Sequence, residues 1–156
     1  EGEIIIRGPS RAVQMWNDPA LSRKVFRGDW WYSGDLGHLD EEGYLYIHGR
    51  VDDMIITGGI NVLPAPIEEV MLSHDQVSEC AVVGLPDPEW GQRVTAFVIA
   101  SHEELTADHL HDHAQASDLP NYQRPKEFRF VTELPRGSSG KTSRKTLREQ
   151  AIAAES

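Results

Sequence analysis

The sequence predicts a mixed α/β protein (α+β) with a β-rich first part and a compact second part, in which helices flank a central three-stranded sheet. Three observations lead to this fold class. Strand and turn patterns dominate up to residue 49, strands alternate with helices from residue 53 onward, and Gly49-Arg50 lies where the pattern changes. We therefore expect one domain over residues 1–49, a hinge at residues 50–52 and a second domain over residues 53–156.

The first part reads as strands and turns with one short helix. Residues 3–7 predict a strand that begins almost at the first residue, so we expect the chain to be a piece of a longer protein. Asp18-Pro19 predicts a helix start, because Asp caps free N–H groups and proline needs no N–H at the first helical position. Segments 36–39 and 44–48 predict a hairpin closed by Asp40-Glu41-Glu42-Gly43, where glycine supplies a positive φ.

The second part alternates strands with helices. Gly58-Gly59 predicts a tight turn, and Thr106 predicts a helix N-cap. The predicted strands lie at 54–56, 77–85, 94–100 and 128–132, and the predicted helices at 66–72, 106–117 and from about 143 onward.

Composition limits the classes of function. The chain is 39% hydrophobic and 26% charged, as ordinary globular proteins are, and has no run of 18 apolar residues that predicts a membrane span. Its formal net charge of -10 argues against nucleic-acid binding. The single cysteine, Cys80, excludes an internal disulfide and fits a reducing, cytoplasmic location. Its apolar neighbours, Ala81-Val82-Val83, favour a buried structural thiol over a nucleophile.

Positive charge is concentrated between Arg124 and Arg148. This segment suits a small anionic ligand such as a nucleotide phosphate, and equally it fits a solvated basic helix face. Against only two acidic residues, Glu127 and Glu133, the segment holds eight Lys or Arg, at positions 124, 126, 129, 136, 141, 144, 145 and 148.

The segment Leu134-Pro135-Arg136-Gly137-Ser138-Ser139-Gly140-Lys141-Thr142 is the strongest local signal. Two glycines and two serines around one lysine predict a flexible, solvent-facing loop with backbone donors and a mobile cation. A phosphate-binding P-loop requires a glycine five residues before Gly140, and position 135 is proline. The spacing therefore rejects a P-loop and leaves a plain surface loop or a lysine that closes over a ligand.

Further residues suit a nucleotide ligand or a movement between domains. Asp35, expected in a tight turn after Trp30-Trp31-Tyr32, suits the two hydroxyls of a ribose, although an Asp in such a turn often bonds its own backbone. Arg50 offers a fork of donors near the same sugar. Asp52 lies at the expected domain boundary, where few residues absorb a rotation. Gly58-Gly59 lets a ligand approach the backbone closely.

In this order and spacing the motifs resemble one family, the adenylate-forming superfamily of acyl-CoA synthetases, luciferases and peptide-synthetase adenylation domains. The resemblance covers essentially the whole chain. Two departures are Ser33, where Thr is commoner, and Met15-Trp16, where the family tends to have Tyr-Trp. The segments that carry the resemblance are Gly2-Glu3, Arg7-Gly8-Pro9, Ser33-Gly34-Asp35-Leu36-Gly37, residues 49–59, Glu68-Glu69 and residues 134–148.

Two segments look most like those of acyl- and aryl-CoA ligases, the 4-chlorobenzoate–CoA ligase type in particular. They are Asp87-Pro88-Glu89-Trp90-Gly91-Gln92 and Tyr122-Gln123-Arg124-Pro125-Lys126. The resemblance implies that residues 1–49 are the β-rich end of a large N-terminal domain, and that residues 53–156 are a small C-terminal lid.

The resemblance also implies a role for individual residues. Lys141 matches the catalytic lysine of adenylation, and Asp35 and Arg50 match residues that bind the nucleotide. Asp52 matches the hinge. The implied CoA-tunnel residues are Gly58, Gly59, Trp90, Tyr122 and Arg124.

The function that the resemblance implies is an AMP-forming acid–thiol ligase. ATP with Mg²⁺ and CoA would be its co-substrates, and a small carboxylic acid, fatty or aromatic, would be its substrate. Partners would be limited to these small molecules and the N-terminal domain of the same protein, and this chain alone would be inactive. Three alternatives are an adenylation domain that passes its acyl group to a carrier protein, a luciferase-type oxygenase and a non-catalytic lid that only binds.

A metal site is not expected. His109 and His113 lie one helical turn apart, which is compatible with a transition-metal pair. No further ligand lies in register with them and the helix is strongly polar, which favours a solvated helix face.

Overall fold

The computed structural model describes residues 1–155, so Ser156, where the predicted second domain ends, lies outside the described residues. Two compact units divide the chain. Unit 1 is Glu1–Asp52, and unit 2 begins at Asp53.

Unit 1 is an antiparallel sheet with one short helix. Its longest strand is central, since each of the other three strands pairs with it. The predicted helix start is confirmed, because Asp18 Oδ1 accepts a hydrogen bond from Leu21 N at 2.9 Å. The elements are β1 (Gly2–Ile6), α1 (Pro19–Val25), β2 (Phe26–Arg27), β3 (Trp30–Leu39) and β4 (Leu45–Arg50).

The predicted hairpin is confirmed as β3 and β4, with Gly43 at φ +86°. The expected tight turn at Asp35 is wrong, because Asp35 lies within β3. Glu3 pairs with Leu36 and Ile5 pairs with Tyr32, so the three residues 33–35 lie opposite Ile4 alone. The extra residues form a bulge that re-aims the strand locally.

Unit 2 contains a short hairpin, a three-stranded sheet and three helices. The hairpin is β5 with β6, and the sheet has the order β7-β8-β9, antiparallel between β7 and β8 and parallel between β8 and β9. The predicted three-stranded sheet is therefore confirmed. The elements are β5 (Ile55–Thr57), β6 (Ile60–Val62), α2 (Pro64–Leu72), β7 (Val77–Asp87), β8 (Gly91–Ala100), α3 (Ala107–Ala116), β9 (Glu127–Phe130) and α4 (Arg144–Glu155).

Both faces of the three-stranded sheet are covered. Alternate residues of a strand point to opposite faces, so Val82 joins one core while Ala81 and Val83 join the other. The first core includes Ile67 and Met71 of α2 and Leu110 of α3, and the second includes Leu147 and Ala151 of α4. Helices thus cover the sheet from both sides, as expected from the alternation of strands and helices.

Some element boundaries differ from the sequence prediction. Helix α2 starts two residues earlier than expected, at Pro64, because proline is tolerated in the first turn of a helix. β7 ends later than predicted, at Asp87, and β8 begins earlier, at Gly91, because the two strands stay paired up to the turn that joins them. Two short strands, β2 and β6, were not predicted.

A buried carboxylate links three elements of unit 2. Glu68 of α2 accepts hydrogen bonds from Val82 N of β7 at 2.8 Å and from Arg144 Nε of α4 at 3.0 Å. Arg144 Nη2 reaches the second Glu68 oxygen at 2.5 Å, which completes a two-pronged pair. Arg144 Nη1 contacts Asp53 Oδ2 at 3.2 Å. Burial disfavours the charge of Arg144, but Glu68 and Asp53 outweigh it and raise the pKa of Arg144 above its ordinary value.

We predict that Glu68→Ala lowers the free energy of unfolding of unit 2 by about 3–5 kcal/mol, because it removes the two-pronged partner of a half-buried guanidinium and leaves a strand N–H unpaired. Urea denaturation followed by circular dichroism measures the change. Glu69→Ala, the exposed neighbour on the same helix, is the matched control and should cost less than about 1 kcal/mol. A similar loss in the two variants would contradict the role given to Glu68.

Candidate functional site

In unit 1, Asp35 and Arg50 lie directly opposite each other on β3 and β4. The distance between Arg50 Nε and Asp35 Oδ1 is 3.8 Å, and both side chains reach solvent. Gly34, at φ +77°, makes this arrangement possible, because a Cβ there would lie only 3.1 Å from Arg50 Nη2. The sheet therefore holds together an accessible carboxylate and an accessible fork of donors, an arrangement that can accept and donate hydrogen bonds to neighbouring hydroxyl groups.

The bulge that carries Asp35 is held by short-range hydrogen bonds. Gly34 N donates to Glu3 Oε1 at 3.1 Å, and Asp35 N donates to Ser33 Oγ at 3.0 Å. The contact at position 33 needs only a hydroxyl group. Threonine, which is commoner there in the resembled family, carries the same group as Ser33.

Asp52, the expected hinge, is the last residue of unit 1 and lies in a single 3₁₀ turn, Val51–Asp53. Its carboxylate contacts Lys24 Nζ at 3.5 Å. Both side chains are largely exposed, so this ion pair contributes little to holding the position.

Lys141 lies in a closed hairpin of unit 2, called here the lysine hairpin (residues 136–142). Arg136 and Thr142 form an antiparallel bridge, and Gly137 N donates to Lys141 O at 2.8 Å. Gly140, at φ +78°, donates its N–H to Gly137 O at 2.9 Å. This is a three-residue hairpin loop with glycine at its left-handed position. The sequence predicted a flexible loop with free backbone donors. That prediction is wrong for the N–H groups of Gly137 and Gly140, which form hydrogen bonds within the hairpin.

The side chain of Lys141 is exposed, and within residues 1–155 its ammonium contacts no carboxylate. Four other cations of the basic segment are paired with carboxylates, so part of the positive charge of this segment is neutralised within the molecule. The pairs are Arg129 with Glu127 and Glu155, Arg136 with Glu79, Arg144 with Glu68 and Asp53, and Lys145 with Glu149.

The turn Gly58-Gly59 joins β5 to β6, with φ +55° and +79° at its two glycines. Gly58 N donates to Trp90 O at 2.9 Å, and the Trp90 ring lies so close that a Cβ at Gly58 would be 2.9 Å from its Cε3. Ile56 N donates to Gln92 Oε1 at 2.8 Å. These contacts fix the β5–β6 hairpin to the β7–β8 turn, and we call residues 56–59 with Trp90 the glycine ledge.

The β7–β8 turn is itself closed by Asp87, whose Oδ1 accepts from Glu89 N at 3.0 Å and from Trp90 N at 2.9 Å. Trp90 remains 47% exposed, and a Cβ built at Gly59 would meet no atom within 4 Å, so the ring and this glycine both border open space. An apolar, narrow ligand can approach both.

Tyr122 and Arg124 lie in the segment between α3 and β9. Tyr122 is exposed, whereas Arg124 is half-buried and donates from Nε to Leu119 O at 2.9 Å. Among residues 1–155, no hydrogen bond or ring contact joins either side chain to Trp90. Their assignment to one CoA site with Trp90 stays a prediction.

The histidines of α3 do not act as one pair. His113 Nε2 lies 2.9 Å from Val70 O and 3.0 Å from Ser73 Oγ, so it serves the packing of α3 on α2. A pair that sequence reasoning missed lies on the β3–β4 hairpin, where His38 Nδ1 and His48 Nε2 are 2.6 Å apart in a direct hydrogen bond. Residues 1–155 contain no group of three side chains that is suited to hold a metal ion.

Cys80 packs against the first core. Burial, with a contribution from the charge of Glu68, raises the pKa of its thiol to about 12. The thiol is therefore protonated at neutral pH, as the structural interpretation of its apolar surroundings predicts. In the part of the chain that the structure describes, no helix is long and apolar enough to cross a membrane.

Comparison with known proteins identifies the relatives. Residues 66–141 match the model of the AMP-binding enzyme C-terminal domain. A long-chain-fatty-acid–CoA ligase of Mycobacterium tuberculosis (strain ATCC 25618 / H37Rv) is 41% identical over 153 residues, which are 98% of this chain and 30% of the relative. A 2-succinylbenzoate–CoA ligase of Bacillus anthracis (strain A0248) is 44% identical over 149 residues, 96% of this chain and 30% of the relative.

Solved structures give the same result. The o-succinylbenzoate CoA synthetase of Bacillus subtilis, in complex with an acyl-adenylate intermediate, has a TM-score of 0.86 at 37% identity and covers 94% of this chain and 30% of its own. That enzyme has also been solved with ATP and a magnesium ion. ATP-bound MatB from Rhodopseudomonas palustris has a TM-score of 0.89 at 34% identity, covering 99% of this chain and 31% of its own. The chain thus spans about 30% of the length of these relatives, and the predicted resemblance and fold class are confirmed.

We predict that Gly58→Ala destabilises unit 2 more than Gly59→Ala does. Both variants place an L side chain at positive φ, at a cost of about 1–2 kcal/mol, but only the Cβ at position 58 also clashes with the Trp90 ring. Thermal unfolding gives the difference, and the Trp90 indole N–H resonance should shift only in Gly58→Ala. Equal destabilisation with an unmoved Trp90 signal would contradict the packing of this ledge.

Proposed function

Because the chain belongs to the adenylate-forming superfamily, with residues 66–141 in its AMP-binding enzyme C-terminal domain, we propose that it is the lysine-bearing lid portion of an ATP-dependent acid–thiol ligase. The full-length protein activates a carboxylic acid as acyl-AMP and then transfers the acyl group to CoA. The observation that carries the proposal is the exposed ammonium of Lys141, which no carboxylate within residues 1–155 neutralises.

In the first half-reaction the carboxylate oxygen of the acid attacks the α-phosphorus of ATP, and pyrophosphate leaves. Negative charge accumulates at the phosphorus and its oxygens. Lys141 supplies a positive charge to the attacking carboxylate and to that phosphate. A cation positioned where charge develops in a water-poor site lowers the activation barrier by roughly 3–4 kcal/mol, which raises the rate by a factor of about 100–1000.

The nucleotide sugar is the proposed ligand of Asp35 and Arg50. The Asp35 carboxylate accepts hydrogen bonds from both ribose hydroxyls, and Arg50 donates to oxygens of the same sugar. Support comes from their direct pairing across β3 and β4, which fixes an acceptor and a donor fork side by side.

A rotation at Asp52 separates the two half-reactions. It withdraws Lys141 and presents the glycine ledge to the pantetheine arm of CoA, with Gly58 and Gly59 allowing the close approach. The Trp90 and Tyr122 rings and the Arg124 guanidinium then bind the remainder of CoA. Support comes from the exposed ring of Trp90 beside a turn that carries no side chains.

Among the described residues, no three His, Cys, Asp or Glu side chains are grouped in a way that would hold a metal ion. We therefore expect the Mg²⁺ that accompanies ATP to be held by the phosphates and by the remainder of the full-length protein. CoA is preferred over a carrier protein as acceptor because the relatives named above are CoA ligases. A reducing compartment such as the cytoplasm is proposed on the single, unpaired Cys80.

We predict that Lys141→Ala in the full-length protein lowers the rate of pyrophosphate release by about 100-fold or more. Thioester formation from supplied acyl-adenylate should change by less than about threefold, because Lys141 serves only the first step. The control is Lys145→Ala, which removes another exposed lysine charge from the same segment and should leave both rates unchanged. Equal losses in the two half-reactions of Lys141→Ala would refute the assignment. The chain alone should form no thioester.

We predict that Asp52→Pro slows turnover by holding the hinge in one orientation. Proline fixes its own φ and disfavours a helical conformation of Val51, which lies in the 3₁₀ turn. Asp52→Ala removes the same carboxylate and the Lys24 ion pair but leaves the backbone free, so it should retain most of the activity. If Asp52→Pro carried out both half-reactions at the wild-type rate, a hinge at this residue would be excluded.

A further inference from the structure

Arg144 contacts two parts of unit 2 that the proposed mechanism requires to move together. It is the first residue of α4, three residues after Lys141, and its guanidinium reaches both Glu68 and Asp53. Asp53 is the first residue of unit 2 and directly follows Asp52. One side chain therefore lies between the start of unit 2 and the lysine hairpin.

The path from Lys141 to Arg144 is held by backbone contacts. Thr142 is bridged to Arg136, and Ser143 N donates to Pro135 O at 2.7 Å. Ser143 O then accepts the first helical hydrogen bond, from Leu147 N at 3.0 Å. A displacement of Arg144 is thus transmitted to the backbone of Lys141 without passing through a flexible segment.

The partners of Arg144 are fixed as well. Glu68 is buried and also accepts from Val82 N of β7, so one end of the guanidinium is anchored to the sheet. The carboxylate of Asp53 has no other ion-pair or hydrogen-bond partner than Arg144 within residues 1–155. Losing Arg144 would leave the carboxylate of Asp53 without its ion-pair partner at the start of unit 2.

We propose that Arg144 is a positioning residue for adenylation, which ties Lys141 to the hinge by holding Asp53 and Glu68 with one planar guanidinium. The inference rests on the proposed role of Lys141. Lysine is a poor substitute at this position, because its single ammonium cannot make a two-pronged pair with Glu68 and also reach Asp53. A misplacement of Lys141 by about 1 Å is enough to lower the rate of adenylation about 100-fold.

The test compares Arg144→Lys with Arg148→Lys, a control on the exposed side of the same helix, in the full-length protein. We expect Arg144→Lys to slow pyrophosphate release about 10- to 100-fold and to change thioester formation from supplied acyl-adenylate by less than about threefold. A purely structural role would lower both half-reactions together, and that result would overturn the inference. Arg148→Lys should match the wild type in both.

A second variant keeps the test decisive if Arg144→Lys folds poorly. Asp53→Asn retains an acceptor oxygen but loses the charge, and should slow pyrophosphate release by about three- to tenfold without affecting the thioester step. Because the two residues act through one contact, the double variant should be no slower than Arg144→Lys alone. Strictly multiplicative losses would overturn the inference.

Lys141→Ala, measured in parallel, separates the two levels of the argument. If Lys141→Ala loses adenylation while Arg144→Lys and Asp53→Asn do not, the positioning role is wrong and the proposed function stands. If Lys141→Ala keeps the wild-type rate of pyrophosphate release, the proposed function is wrong and the positioning role falls with it.

Discussion

The contact between Glu68 and Arg144 organises unit 2, because it solves three problems of burial at once. β7 is an edge strand, and its Val82 N–H would be left without a partner if Glu68 did not accept from it. A buried carboxylate without a cation is costly, and Arg144 supplies both charge and directed donors. The same guanidinium has one donor left for Asp53. A hydrophobic pair of equal volume could fill the space, but it could satisfy neither the strand N–H nor Asp53.

Glycines with positive φ recur at each proposed working element. Gly34 leaves room for Arg50 beside Asp35, Gly58 admits the Trp90 ring, and Gly140 closes the lysine hairpin. In each case a backbone conformation that is costly for other residues brings a side chain or a bare backbone to solvent. The regular strands and helices supply the buried core residues, whereas the proposed functional side chains lie next to these glycines.

Local patterns were sufficient for much of the fold. The N-caps Asp18 and Thr106 and the turn at Gly58-Gly59 were readable because each depends on neighbouring residues alone. Features that depend on distant partners were not. Arg144 appeared only as one cation of a basic segment, since its partners lie 76 and 91 positions away in the sequence.

The bulge at Asp35 was missed for a related reason. Its extra residues are visible only once the register of β1 against β3 is known, and no local signal distinguishes such a bulge from a turn. The closing of the lysine hairpin was also hidden, because Gly and Ser in a row favour an open loop and an ordered one equally. The order of the motifs along the chain could be read from the sequence, because it does not depend on three-dimensional geometry.

The two proposed working surfaces of unit 2 are supported by different kinds of contact. The glycine ledge is held by backbone hydrogen bonds, from Gly58 N to Trp90 O and from Ile56 N to Gln92 Oε1. The lysine hairpin is joined through Ser143 to α4, whose first residue is held by charge. Because these supports share no residue, each surface can be adjusted by substitution without disturbing the other. An element shared by both surfaces would couple their optimisation, so separate supports suit a domain that is proposed to serve two successive reactions.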